Sequence, residues 1–146
     1  MAQLGTARNT LWKLFLTVHT HLVEQVEQDF RQAELPPFEW YDVLIALKQA
    51  PEQRLRLSEL AETLLVNRTD VTRLVDRLEK AGLIYREACK DDRRGAFAVL
   101  APAGLEMQQK MWAVYAQSIA QHFGRHLTEQ DISVLTNVLS AMLRDQ

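Results

Sequence analysis

Cysteine is almost absent from the chain, which has one, Cys89, among its 146 residues. A single cysteine excludes an internal disulfide framework. Five glycines, four prolines and few strand-like runs together predict a mainly helical fold. Long apolar stretches are missing too, because Lys13 interrupts the run at residues 11–18, which is far too short to span a bilayer. Since no signal peptide is recognisable, we expect a cytoplasmic protein that has no membrane partner.

Catalytic and metal-binding patterns are also missing from the sequence. It contains no glycine-rich phosphate loop and no nucleophile–base arrangement. His122 and His126 stand at a spacing that places two imidazoles on one helix face, but Gly124 lies between them, so a polar helix end is the better interpretation. We therefore expect no enzyme activity, no metal site and no cofactor.

Positive charge is not in excess overall, since the formal net charge is −2, which argues weakly against nucleic acid as a partner. The distribution of charge points the other way. Residues 54–94 contain ten Lys or Arg and eight Asp or Glu, whereas the remainder contains seven basic and eleven acidic residues. Basic charge is thus concentrated in one segment, as a DNA-binding surface requires. Because the excess is small, binding depends on where the charges lie and on having two copies.

Residues 57–82 predict two short helices joined by a tight turn. The first carries leucines at helical spacing, and the second separates an apolar side from a polar side. The apolar side comprises Val71, Leu74, Val75 and Leu78, and the polar side comprises Thr69, Thr72, Arg73, Asp76, Arg77 and Lys80. Asn67 is predicted to cap the second helix and Gly82 to end it. One face then packs on the domain while the other offers hydroxyls and guanidinium groups to DNA, the layout of a recognition helix.

A two-stranded hairpin with a basic turn follows the second helix. Its predicted strands are residues 83–86 and 96–100, and a third short strand is predicted near residues 55–57. Arg93 and Arg94 stand together in the turn, where they are placed to reach the negative potential of a minor groove. Asp92 is two residues before Arg94 and is predicted to orient its guanidinium by a charge-assisted hydrogen bond. Two helices and this hairpin form a winged helix-turn-helix, which most often binds duplex DNA.

The polar residues of this module are the candidate DNA contacts. Taken alone they would be interpreted as a solvated helix face and a solvated turn, but their place between a capped turn and a basic hairpin favours DNA. Base-edge contacts are predicted for Thr69, Thr72 and Arg73, phosphate contacts for Arg68 and Arg77, a backbone contact for Arg93 and groove insertion for Arg94. Asp76, on the same outward face, either is ordinary helix decoration or steers base preference.

Apolar helices flank the module at both ends of the chain. We expect an N-terminal arm at residues 1–35, the DNA-binding domain at 36–101 and C-terminal helices at 102–146. The terminal helices are more apolar than a chain of this length readily buries, which predicts a dimerisation arm. The predicted fold class is therefore mainly α (α+β), a winged helix-turn-helix with N- and C-terminal dimerisation helices. A two-fold homodimer would place two recognition helices one DNA turn apart, roughly 34 Å, and read a pseudo-palindrome.

The runs LAETLLVNRTDVTRLVDRLEKAGLIYR and DDRRGAFAVLAPAG resemble the MarR family of transcriptional regulators. In that family a recognition helix ends in R-L-E-x-x-G-L, and a wing with Asp-x-Arg precedes a V-x-L-T-x-x-G exit. Asp92, Arg94, Val99 and Gly104 match this pattern, whereas Ala101 stands where the family usually has Thr. The resemblance implies a DNA-binding repressor whose two chains interlock through their terminal helices.

The resemblance also implies a small-molecule site. In the family, a crevice between the dimer arm and the DNA-binding module accepts small, often phenolic or anionic, ligands. The matching candidates here are His19, Trp40, Tyr41 and Trp112, although aromatic residues at helical spacing are more often core.

Two alternatives to a ligand-responsive repressor stay open. In one, Cys89 senses oxidants, because the neighbouring Lys90 favours its thiolate. In the other, the winged helix binds a protein instead of DNA, and a steep salt dependence of binding to duplex DNA would argue against it.

The wing generates a test of its own. We expect Arg94→Ala to lower affinity for the operator about tenfold or more at moderate salt, because an arginine inserted in a groove contributes strongly to binding. Titration of both proteins against the same duplex measures the change. Unchanged affinity would remove the wing from the DNA interface.

Overall fold

The computed structural model describes residues 3–64, 70–91 and 95–144 of the chain. Within them, six α-helices and one small sheet confirm the mainly α fold class. The elements in chain order are α1 (Thr6–Gln32), α2 (Phe38–Gln49), β1 (Arg54–Arg56), α3 (Leu57–Thr63), α4 (Val71–Lys80), β2 (Ile84–Ala88), β3 (Ala96–Leu100), α5 (Pro102–His122) and α6 (Glu129–Arg144). Short 3₁₀ turns at Pro51–Gln53 and Gly124–His126 precede β1 and α6.

The chain divides into two compact units. One is Glu27–Tyr115, and the other combines Met1–Val26 with Ala116–Gln146. The first unit contains the predicted DNA-binding module, and the second contains most of α1 and all of α6.

The sheet belongs to the first unit and has the strand order β1-β3-β2, antiparallel throughout. β1 is the predicted third strand, displaced by one residue. Register pairs Ile84 with Leu100 and Arg86 with Ala98, so these side chains share one face of the sheet, while Tyr85 and Glu87 alternate to the other.

Helix α4 buries its apolar side in the core of the first unit. Leu74, Val75 and Leu78 are buried, whereas the polar residues between them are exposed. The large apolar side chains that are almost fully buried in the same unit are Phe30, Val43, Leu44, Leu47, Leu60, Leu64, Ile84 and Met111. This burial confirms the predicted division of α4 into two faces for the residues that the structure describes.

The two ends of α4 turned out differently from each other. At its start the prediction of Asn67 as the cap is wrong: the helix begins at Val71, and the Asp70 carboxylate accepts from the Arg73 N–H at 3.2 Å. At its end Gly82 has φ +79°, and the N–H groups of Gly82 and Leu83 donate to the carbonyls of Glu79 and Leu78. The predicted left-handed terminator is therefore confirmed.

The second unit exposes apolar side chains along its helices. Leu11, Trp12 and Phe15 of α1 are half exposed or more, and α6 has no buried residue. Thr128 and Asp131 form a capping box ahead of α6, with reciprocal N–H···O distances of 3.0 and 3.1 Å. Across the described ranges, no helix is long and apolar enough to cross a membrane.

Gly104 lies in close contact with the turn between α4 and β2. A Cβ added there would lie 2.0 Å from the Leu83 carbonyl oxygen and 2.8 Å from Leu100 Cδ1. The Ala101 N–H also donates to that oxygen at 3.1 Å. Only glycine fits at position 104, where the first turn of α5 packs against the end of the turn between α4 and β2.

We therefore expect Gly104→Ala to lower the free energy of unfolding by on the order of 3 kcal/mol, because backbone must move to admit the methyl group. Urea unfolding measures the loss. Gly124→Ala is the matched control, since the nearest atom to its added Cβ is 3.7 Å away. We expect the control to change stability by about 0.5 kcal/mol or less, and equal stability of both variants would contradict the contact.

Candidate nucleic-acid interface

The exposed face of α4 brings three of the predicted DNA contacts together. Thr72, Arg73 and Arg77 are exposed on this helix, with Lys80 one turn further on. Asp70 caps the helix at the end nearest Thr72, and its carboxylate is 59% exposed. Arg68 and Thr69 lie outside the described residues.

Among the described residues, the arginines Arg73 and Arg77 of α4 form weak ion pairs. Arg73 Nε lies 3.8 Å from an Asp70 carboxylate oxygen, and Arg77 Nη1 lies 3.9 Å from Glu39 Oε1 on α2. Both guanidinium groups are exposed, and ion pairs of exposed arginines at such distances contribute about 0–1 kcal/mol, because water screens them and the side chains lose entropy. Both guanidinium groups are therefore readily exchanged onto a phosphate or a base edge.

The hairpin of β2 and β3 packs on α4 through β2 and ends in a polar turn. The Cys89 N–H donates to the Gly95 carbonyl at 3.2 Å and closes the hairpin, and Lys90 and Asp91 are exposed beyond it. Asp92, Arg93 and Arg94, predicted to form the tip, lie outside the described residues.

Arg86, which was not among the residues predicted from the sequence, joins the hairpin to α4. Its Nη1 donates to Glu79 Oε1 at 2.7 Å, its backbone N–H donates to Glu79 Oε2 at 3.0 Å, and its Nη2 donates to Asp76 Oδ1. Burial opposes the charge of Arg86, but the hydrogen bonds to Asp76 and Glu79 outweigh it and raise its pKa. Asp76 thus has a structural partner.

A second group missed from the sequence covers the other face of the sheet. The Arg54 guanidinium lies 4.5 Å from the Phe97 ring centroid, and that of Arg56 lies 5.7 Å from it. Arg54 also pairs with Glu87 at 2.8 Å and with Glu52 at 3.2 Å. The alternation of Arg54 and Arg56 along a strand opposite an aromatic residue was the available signal.

Two of the four predicted ligand residues lie together in the first unit. The rings of Tyr41 and Trp112 stack with centroids 6.4 Å apart, and Tyr115 contacts both edge to face. Burial raises the pKa of the Tyr41 hydroxyl, a hydrogen bond with Gln108 opposes the rise, and Asp42 adds to it. Trp40 is partly buried on α2, and His19 lies on α1 in the other unit.

A pocket of about 320 Å³ opens in the first unit, between the end of α1 and the start of α2. Phe30, Phe38 and Glu39 contribute to its wall, and none of the four predicted ligand residues does. Glu39 is also the partner of Arg77, so this pocket adjoins the recognition helix.

Cys89 is buried at the end of β2, with 6% of its surface exposed. Burial restricts the access of oxidants to the thiol, which weakens the case for redox sensing. In the described part of the chain, no group of three or more His, Cys, Asp or Glu residues is placed to hold a metal ion.

A basic helix face beside a hairpin wing defines a DNA-binding protein of the winged-helix class. The chain belongs to the MarR family of transcriptional regulators. The MarR family profile matches residues 36–95. AbsC, a MarR family transcriptional regulator from Streptomyces coelicolor, is 30% identical with a TM-score of 0.83, and the match covers 100% of both chains.

Two further similar proteins agree with this assignment. Sco3205, a MarR family regulator from Streptomyces coelicolor solved in complex with DNA, is 26% identical over 99% of this chain and 91% of its own, with a TM-score of 0.86. YkoM from Bacillus subtilis, an uncharacterised HTH-type transcriptional regulator, is 27% identical over 122 residues, 83% of this chain and 77% of its own. Members of the family are transcriptional regulators, not enzymes, so the predicted family, fold and lack of enzyme activity are confirmed.

Proposed function

We propose that this chain is a homodimeric repressor that reads a pseudo-palindromic operator. The observation that carries the proposal is the exposed face of α4, where Thr72, Arg73 and Arg77 project from a helix whose opposite side is buried. Arg68 and Thr69 before this helix, and Arg93 and Arg94 in the wing, complete the proposed DNA surface, with Asp92 orienting Arg94.

The apolar surface of the terminal helices supports the dimer. Among the described residues, fifteen of the seventeen large apolar side chains that are exposed belong to the second unit. Exposed apolar side chains in such number on one unit are ordinarily covered by a partner. A second copy with two-fold symmetry covers equivalent surfaces on both chains. We propose that the segments 1–35 and 102–146 supply this interface and that 36–101 reads DNA.

We expect the dimer to repress transcription by occupying promoter DNA. A dimer covering two half-sites in a promoter excludes RNA polymerase from the same DNA, so binding alone lowers transcription. Because the chromosome is the partner, we place the protein in the cytoplasm.

We further propose that a small aromatic or anionic ligand regulates binding. The stacked pair Tyr41 and Trp112 offers an aromatic surface, and Trp40 and His19 are the other candidate positions. A ligand shifts the dimer between geometries only by its different affinity for each, so it must prefer the one whose recognition helices no longer match the half-sites.

The operator test comes first. We expect the protein to shift a duplex taken from upstream of its own gene, or enriched from a random pool, in the presence of excess nonspecific DNA. The enriched sequences should form an inverted repeat with half-site centres about 10 base pairs apart. Affinity should fall steeply as salt rises. A pool that yields no enriched sequence would contradict operator binding and favour a protein partner.

The ligand is tested on the same complex. 4-Hydroxybenzoate serves as the probe, and release of the duplex should weaken when Trp112 is replaced by Ala. Peroxide provides the comparison for Cys89, with Cys89→Ser as its control. Release by peroxide but not by the aromatic acid would replace the ligand proposal with redox sensing.

The dimer is tested on α6. Leu135→Glu with Leu139→Glu places carboxylates on its exposed apolar face, and we expect monomers in sedimentation. Operator affinity should then fall roughly a hundredfold or more, because the second half-site no longer binds intramolecularly. Asn137→Glu, at an exposed polar position of α6, is the control and should stay dimeric. A dimeric double variant would contradict this interface.

A further inference from the structure

The strand β2 carries an arginine on the face that turns toward α4. Ile84 and Arg86 share this face, and Tyr85 and Glu87 alternate to the other. A partly buried cation on such a face needs partners, because burial without them is costly. The side chain of Arg86 is 27% exposed, and both of its acidic partners, Asp76 and Glu79, belong to α4.

The contact is geometrically specific. Both oxygens of the Glu79 carboxylate bind Arg86, one through Nη1 and the other through the backbone N–H. A second guanidinium nitrogen, Nη2, binds Asp76 one turn earlier on α4. A planar guanidinium held at several atoms fixes direction as well as distance. We call these three residues the Arg86 clamp.

The position of the clamp matters for DNA binding. Along the chain, α4 and β2 are connected by the short turn through Gly82, and the wing lies at the far end of β2 from that turn. A recognition helix and a wing must engage neighbouring grooves at the same time, so the angle between them has to be set in advance. The Arg86 clamp ties the last turns of α4 to the third residue of β2.

We propose that Arg86 is a positioning residue that holds the wing at the angle at which its tip and α4 contact DNA together. It acts through Asp76 and Glu79 and does not itself contact the nucleic acid. The proposal rests on the DNA-binding function proposed above. A simpler role, neutralising two carboxylates near the phosphates, is an outcome that the experiment separates.

The test is a double-mutant cycle in the full-length protein, with a duplex enriched from a random pool as the probe. Arg86→Met keeps the aliphatic stem and removes the guanidinium. We expect it to weaken specific binding roughly tenfold and to reduce the loss caused by Arg94→Ala to less than about threefold, because a misplaced wing has no contact left to lose. Additive losses would overturn the proposal.

Arg54→Met is the matched control. Arg54 is a similarly exposed arginine of the same sheet, but its ion pairs are with Glu52 and Glu87 rather than with α4. In this background Arg94→Ala should keep its full effect. Loss of coupling in both arginine variants would point to general loosening of the sheet and overturn a specific role for Arg86.

Removing the carboxylates as well distinguishes positioning of the wing from simple neutralisation of Asp76 and Glu79 by Arg86. If Arg86 only cancels charge, Arg86→Met combined with Asp76→Asn and Glu79→Gln should bind the duplex like the parent protein. We expect this combination to stay weak, since the amides do not restore the link. Full recovery would overturn positioning. Arg86→Lys keeps the charge without the planar fork, and it should fall between parent and Arg86→Met.

A measurement without DNA keeps the clamp testable if no duplex is enriched. Glu79→Gln weakens the acceptor of the Arg86 N–H, and we expect amide hydrogen exchange at Arg86 to rise roughly tenfold while the core of α2 stays protected. Unchanged exchange would overturn the clamp. If no duplex is enriched but amide exchange at Arg86 rises in Glu79→Gln, the result contradicts the proposed DNA binding and leaves the clamp standing. Thermal unfolding of each variant confirms that it is folded.

Discussion

The close approach of Gly104 to the Leu83 carbonyl is the constraint on which the DNA-binding unit depends. That carbonyl follows the left-handed turn at Gly82 that ends α4, and it also accepts from the Ala101 N–H at the end of β3. Recognition helix, sheet and the first turn of α5 therefore meet at one oxygen. Since a methyl group does not fit there, the end of α4 cannot move without disturbing the sheet that carries the wing.

In this unit the positions of the charged side chains matter more for DNA binding than the net charge. The chain has a net charge of −2, and acidic residues stand even on the exposed face of α4. These carboxylates have partners within the unit: Asp70 caps α4, and Asp76 accepts a hydrogen bond from Arg86. Their charge is thereby partly offset by a helix N-terminus and by a guanidinium. Arg73 and Arg77 are exposed and form long, weak ion pairs, so they remain able to exchange onto DNA.

The sequence predicted what depends on local periodicity and missed what depends on pairing. The two faces of α4 and its end at Gly82 follow from spacing and from glycine chemistry, which neighbouring residues determine. Asn67 was predicted as the cap of α4, but the helix begins three residues later and Asp70 caps it. Asn and Asp side chains cap helices about equally well, so residue type alone does not locate the start of the helix. Arg86 was missed because its role needs the register of β2 against β3. Alternation with Ile84 already indicated an inward cation, and Glu79, seven residues away in sequence, is brought to it only by the turn.

A clamped wing changes what a second copy contributes. We infer that each protomer meets DNA as a rigid pair of contacts, so two protomers must match two half-sites in both spacing and angle. In each protomer, residues 54–94 contain only two more basic than acidic residues. We therefore expect one protomer to bind a single half-site weakly. Joining two such sites multiplies affinity only while both engage together. A small change in dimer geometry then disengages one whole half-site instead of loosening single side chains. A fixed angle between α4 and the wing is therefore what would let a ligand that changes the dimer geometry release a whole half-site at once.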